Sequence, residues 1–276
     1  MARTSAEASS SKTSRPILNL GISQSLKIGF LNIRLYSLTF VAAITTAYLI
    51  ARRRALKAGI SEKIFEDVIF WTILLGFLSA RIYYVLFYFN DYRNNLSEIY
   101  KIWHGGLAIY GGLIGGAVTL YLMCRKYKQS FFKFTDVIIL GIPLAQALGR
   151  LGNYFNHEAF GAPTNLPWKI FIPLANRPVG YENFSYFQPT FLYEMLANLA
   201  IFIILYFIEK KKKLVPGMLF SFYLLFYSIA RFVIEGVRLD SAYFGPFRGD
   251  QVTALVLILL SLSLMVYLRG FRYNKT

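Results

Sequence analysis

Six apolar runs, near residues 35–51, 64–89, 105–124, 189–208, 214–234 and 252–268, are each long enough to cross the roughly 30 Å hydrocarbon layer of a bilayer. A seventh stretch, 134–152, has a shorter clean apolar core from Val137 to Gly149; its length suits a span or a re-entrant helix, and the alternation of the loops makes it a span. A chain built this way is expected to be an all-α polytopic membrane protein of about seven transmembrane helices. Only 16% of its residues are charged, against roughly 25% in soluble domains.

Charge placement sets the expected orientation. The formal charge of +16 does not imply a nucleic-acid partner, because the basic residues sit in short gaps between apolar runs rather than on a foldable soluble face. With seven spans, Arg52 to Arg54, Lys57 and Lys63 share a side with Arg125 to Lys133, with Lys210 to Lys213 and with Arg269 to Lys275. The opposite loops carry far fewer cations, so the positive-inside rule predicts an outward amino terminus and a cytoplasmic carboxyl terminus. Basic residues in the amino-terminal segment, such as Arg15 and Lys27, oppose this around the first span; the later loops agree with one another.

The expected organisation is a polar tail and interfacial segment over 1–33, a membrane domain over 34–272 and a cytoplasmic tail over 273–276. The first fifteen or so residues, polar and Ser-rich, read as disordered, and 17–33 as interfacial. Within the membrane domain, the Pro-rich stretch 154–188 between spans four and five is expected to form a small external head of turns and short strands. A single cysteine, Cys124, and two histidines leave no intrachain disulfide and no zinc-ligand spacing, and neither metal nor cofactor is expected.

Ionisable residues inside spans are costly unless paired or hydrated, which makes Arg81, Asp136, Arg150, Glu194, Arg231 and Glu235 functional candidates; the competing reading is that they pair to hold helices together. Three segments concentrate the signal. In His104 to Gly116, Gly111/Gly115 and Gly112/Gly116 have the spacing of close helix packing. Gly105 and Gly106 are placed to open a helix end whose amides bind phosphate, flanked by His104 and Tyr110. In Gly149 to Gly161, Arg150, Asn153, Asn156 and Glu158 crowd the end of a span: the guanidinium suits a phosphodiester, the asparagines suit ester or hydroxyl oxygens, and Glu158 can orient an arginine. In Tyr227 to Arg238, helical geometry places Tyr227, Arg231, Glu235 and Arg238 on one face.

In this order and between these spans, the three segments resemble the prolipoprotein diacylglyceryl transferase family, the second matching its G-R-x-G-N-[FY]-x-N-x-E-x-x-G signature. The likeness extends from Ile33-Arg34-Leu35-Tyr36 through Ser79-Ala80-Arg81 and Gln188 to Glu194, as far as Asp250-Gln251. It implies an enzyme of the bacterial plasma membrane, its site toward the outer face, that moves the diacylglyceryl group of phosphatidylglycerol to the lipobox cysteine of prolipoproteins. By the same resemblance Arg150, Asn153, Glu158, Tyr227, Arg231 and Glu235 match essential polar residues, with Tyr36, Asp136 and Arg238 in supporting positions. Some members have histidine where this chain has Tyr110, and tyrosine also occurs there.

The expected chemistry places Arg150 and Arg231 on the phosphodiester, where negative charge grows as glycerol phosphate departs. Glu235 or Tyr110 is the candidate acceptor for the thiol proton. Cys124, at the far end of its span, is expected to be a bystander. A transporter of an anionic solute is the main alternative, and the lack of an internal repeat weighs against it; a noncatalytic lipid-binding bundle is another.

Overall fold

The computed structural model describes residues 25–28, 31–211, 214–239, 241 and 243–273. The expected disordered tail and residues 274–276 of the carboxyl-terminal tail lie outside the described residues, as does most of the interfacial segment.

The described chain is mostly helical, and a helix stands on each of the six long apolar runs, among them α1 (Leu35–Lys57), α2 (Glu62–Phe87), α7 (Thr190–Lys211) and α8 (Met218–Glu235). A short helix α3 (Phe89–Tyr92) follows α2, then come α4 (Ile109–Lys126), α5 (Phe131–Ile139) and α6 (Gly141–Asn156), and α9 (Gly249–Tyr273) ends the chain. The molecule departs from an all-α fold in three short antiparallel pairs: β1 (Ser25–Ile28) with β2 (Leu31–Arg34), β3 (Ile170–Phe171) with β4 (Tyr186–Phe187), and β5 (Tyr243–Phe244) with β6 (Phe247–Arg248). The described part of the expected interfacial segment is thus a hairpin leading into α1.

Among the described residues five helices, α1, α2, α7, α8 and α9, are long and apolar enough to cross a membrane, and α5 with α6 makes a sixth candidate, bent by 40°. The bend has a local cause. Pro143 offers no amide to the carbonyl one turn back, and Gly141 lies so close to α1 that a Cβ there would stand 2.9 Å from the Ala47 carbonyl oxygen. Helix α4 falls short of that apolarity because four glycines occupy its first half and Arg125-Lys126 its last turn. Those glycines serve packing: α4 lies antiparallel against α2, where a Cβ on Gly111 would meet the Ser79 carbonyl oxygen at 2.7 Å and one on Gly76 the Gly112 carbonyl oxygen at 3.3 Å. In lipid, where apolar surface gains little by leaving its solvent, such close approach is what holds helices together.

The other main pairings are α1 with α6, α6 with α7, α7 with α8 and α8 with α9, while α5 packs against both α1 and α8. One end of the bundle is sealed by a core of Ala51, Ala55, Phe65, Phe134 and the buried Cys124. At that end the Asp136 carboxylate accepts from the Gly217 amide at 2.7 Å and the Phe220 amide at 2.8 Å, capping α8 from a neighbouring helix. Asp136 therefore has a structural task. At the other end, Ala159, Phe160, Ile170, Ile172, Phe187 and Phe191 form the core of a small cap of turns and two-residue strands.

Candidate active site

Opposite the end closed by Cys124, six helix ends meet: the starts of α1, α4, α7 and α9 and the ends of α6 and α8. Helices in a bundle alternate direction, so residues far apart in sequence arrive at one level. Glu194, 3% exposed on the second turn of α7, is the centre. Its Oε2 is bound by Arg150 of α6, and its Oε1 accepts from Arg231 of α8 at 3.1 Å and from Arg238 Nη1 at 2.7 Å.

Arg231 reaches further. It also binds Asp250 of α9, and its Nη2 lies 2.8 Å from Glu235 Oε2. Glu235 is fully buried, and its Oε1 has no hydrogen-bond partner among the described residues. Arg248 closes the far side: it binds the Glu235 carbonyl, and its Nη1 donates to the Arg238 carbonyl at 2.8 Å and Ser241 Oγ at 2.9 Å. Arg150, Arg231, Arg238 and Arg248 thus stand against Glu158, Glu194, Glu235 and Asp250, a cluster in overall charge balance. Burying such a set is tolerable because Arg150, Arg231 and Arg238 pair directly with carboxylates, while Arg248 is held by backbone carbonyls and Glu158 by the two asparagines.

The expected residues divide by what they touch. Arg150 Nη1 donates to Asn153 Oδ1 at 3.2 Å; Asn153 and Asn156 donate to the two oxygens of Glu158 at 3.4 and 3.3 Å. Glu158 therefore orients the arginine through Asn153. The chain reaches it by a left-handed turn at His157, φ 54°, which ends α6. Tyr227 lies beside Arg231 in a narrow crevice shared with Glu194 and Asn198, its ring stacked on Tyr223 at 5.6 Å. Arg238 is not on α8, which ends at Glu235, but the turn that follows carries it to Glu194 all the same. Gly161 of the cap pairs with Arg238, and a Cβ on that glycine would stand 2.5 Å from the Val237 carbonyl oxygen.

Tyr36 packs against Gly152, about 200° around α6 from Arg150, so it braces the back of that helix. Tyr110 is 44% exposed, and its hydroxyl donates to Asp250 Oδ1 over a loose 3.4 Å. Gly105 and Gly106 do not open α4, which begins at Ile109. Both have positive φ, and their carbonyls accept from Arg81 Nη1 at 2.6 and 2.8 Å. Arg81 also binds the carbonyls of Glu98 and Ile99, at 2.6 and 2.9 Å, and so fastens the loop before α4. His104 lies on Glu98 in that loop, away from the arginines.

Sequence reasoning named Glu194 as a candidate but left it out of the site, and gave no role to Asp250 or Arg248. For Glu194 the signal was present, a carboxylate inside an apolar run with no cation one turn away on its own helix. Asp250 and Arg248 flank the start of α9 and look like ordinary loop charges until the fold brings them to α8. No group of three or more His, Cys, Asp or Glu residues arranged to hold a metal occurs among the described residues.

A family model described as prolipoprotein diacylglyceryl transferase matches residues 23–267. The chain is 44% identical over 247 residues to the phosphatidylglycerol–prolipoprotein diacylglyceryl transferase of Fervidobacterium nodosum, covering 88% of this chain and 84% of that protein. It is 41% identical over 253 residues to the enzyme of the same name from Synechocystis sp., covering 90% and 89%. With the one from Listeria innocua it shares 43% over 246 residues, 88% of each chain.

Proposed function

Because the chain belongs to the prolipoprotein diacylglyceryl transferase family, we propose that it transfers the diacylglyceryl group of phosphatidylglycerol to the lipobox cysteine of prolipoproteins at the outer face of a bacterial plasma membrane. The observation that carries this reading is the gathering of Arg150, Arg231 and Arg238 on the single buried carboxylate of Glu194. Guanidiniums drawn together at a helix-end junction are a ready receptor for a phosphodiester, which takes Glu194's place on at least one of them.

In the reaction the cysteine sulfur attacks the glycerol carbon that carries the phosphodiester. A carbon–sulfur bond forms, the carbon–oxygen bond breaks, and its electron pair leaves with glycerol phosphate. Charge on the phosphate grows as the bond breaks, so Arg150 and Arg231 bind the transition state more tightly than the lipid. Nearby guanidiniums also favour the thiolate. Asn153, Asn156 and Glu158 hold Arg150 in place, and Tyr227 lines the crevice beside Arg231.

Burial separates the two candidate proton acceptors. Glu235 is enclosed, whereas Tyr110 is open to an arriving peptide and already points its proton at Asp250. The thiol proton passes to the Tyr110 oxygen as the phenol proton passes to Asp250, which leaves the thiolate beside Arg231. A histidine at position 110 can perform the same relay.

Seven spans follow when α4 is counted, since its 18 residues reach about 27 Å and it lies along α2, and when α5 with α6 is one broken span. The basic ends of α1, α4, α7 and α9 then face the cytoplasm, and the arginine cluster and the cap face outward. Release of glycerol phosphate from phosphatidylglycerol, dependent on an added lipobox peptide, tests the reaction. Release without the peptide, or none with it, would refute it.

A further inference from the structure

A second charged concavity lies at the opposite end of the bundle. It is a cavity of about 740 Å³ between α1, α5 and α7, with Arg53, Arg54, Lys57, Lys133 and Lys210 among its lining residues. Glu209 and Glu194 are fifteen residues apart on α7, so this cavity is about 22 Å along the helix from the arginine cluster.

Its charges are unequally committed. Arg54 ties the floor together: its Nε donates to the Val137 carbonyl at 2.9 Å, its Nη2 to the Asp136 carbonyl at 2.8 Å, and its Nη1 pairs with Glu209. The Asp136 carboxylate is spent on the amides of Gly217 and Phe220. Both acidic groups of the lining are thereby neutralised or turned away. Lys133 donates to the Ala58 carbonyl at 2.7 Å, while Lys210 lies over the Tyr206 ring at 4.5 Å and pairs with no carboxylate among the described residues. Arg53 and Lys57 are exposed on the rim. The cavity therefore carries a surplus of positive charge.

The rest of the lining is apolar: Ile50, Val137, Leu140, Phe202 and Leu214. A free inorganic anion gains nothing from such walls, whereas an acyl chain does. Cations at the ends of long apolar helices also lie at head-group depth.

We propose that this cavity binds the phosphodiester head group of an anionic membrane phospholipid, in the leaflet opposite the donor lipid, with its acyl chains along the apolar wall. Arg53, Lys57 and Lys210 hold the phosphate, and the lipid clamps the junction of α1, α5 and α7.

The test compares the purified protein in phosphatidylcholine nanodiscs with protein in nanodiscs that also contain phosphatidylserine, an anionic phosphodiester lipid other than the donor. Phosphatidylserine is expected to raise the melting temperature and to be retained in native mass spectrometry. The triple variant Arg53→Gln/Lys57→Gln/Lys210→Gln should retain one phosphatidylserine fewer per chain and lose the thermal shift. Its affinity should fall by about two orders of magnitude, the loss expected on removing three surface cations. Should the triple variant not fold, the double variant Lys57→Gln/Lys210→Gln should show the same loss in smaller measure. Equal retention by wild type and variant, no preference for phosphatidylserine, or an equal thermal rise with inorganic phosphate alone would each overturn the proposal.

Discussion

Arg238 Nη1 donates to Glu194 Oε1 at 2.7 Å across 44 residues of chain, fastening the turn after α8 to the second turn of α7. Because Arg150 and Arg231 bind the same carboxylate, one buried charge holds three helices and the turn in register. Glu194→Ala is expected to destabilise the protein by about 3–5 kcal/mol, the usual cost of leaving buried charges without their partner. Glu194→Gln, which keeps the shape and an acceptor oxygen, should lose less. Thermal unfolding in detergent checks the order; a Glu194→Ala protein that melts with the wild type would remove Glu194 from its central place.

Arg231→Ala should lower the rate of transfer by about 10²–10³-fold, as when one donor facing developing charge is lost. Arg231→Lys should recover only part of this, because an ammonium cannot reproduce the fork that reaches Glu194 and Asp250 together. Steady-state kinetics decides: a rise in KM with kcat intact would mean that Arg231 binds lipid and transition state alike.

For the proton relay, Tyr110→Phe should reduce kcat by about 10²-fold or more while Tyr110→His stays active. Wild-type kcat in Tyr110→Phe would return the role to another group. The melting temperature should hardly move in either variant, since the Tyr110–Asp250 contact is exposed and 3.4 Å long.

Gly152→Ala tests the brace behind α6. A Cβ there would stand 2.7 Å from both the Tyr36 ring and Thr39 Oγ1, so α1 must shift. The expected cost is about 1–3 kcal/mol of stability, with a matching loss of activity as Arg150 moves with its helix. An unchanged melting temperature would show that α1 and α6 are not in close contact there.

Much of this was readable from sequence because the bilayer removes most choices. A long apolar run must be a helix, and a charge inside one must have a reason. That logic marks Arg150, Glu194, Arg231 and Glu235 from their spans alone. It could not separate Arg81 and Asp136 from them, since a guanidinium that clasps backbone carbonyls and a carboxylate that caps a distant helix leave the same mark in sequence. Periodicity placed Arg238 on the right face for the wrong reason, since the helix ends three residues earlier and a turn delivers it. Gly105 and Gly106 misled in another way: their positive φ serves a loop held by Arg81, and the start of α4 is set further along. Pairings such as Glu194 with Arg238 are fixed by tertiary arrangement, which spacing within one segment cannot express.

The central claim is that the arginine cluster performs diacylglyceryl transfer to a thiol, and reconstitution tests it most directly. Purified protein is incubated in lipid with phosphatidylglycerol and a synthetic lipobox peptide, and the peptide is read by mass spectrometry. The account predicts a diacylglyceryl thioether on the peptide cysteine with the wild-type protein and almost none with Arg231→Ala. A folded, lipid-loaded wild-type sample that leaves the cysteine unmodified, or an Arg231→Ala protein that modifies it at the wild-type rate, would contradict it.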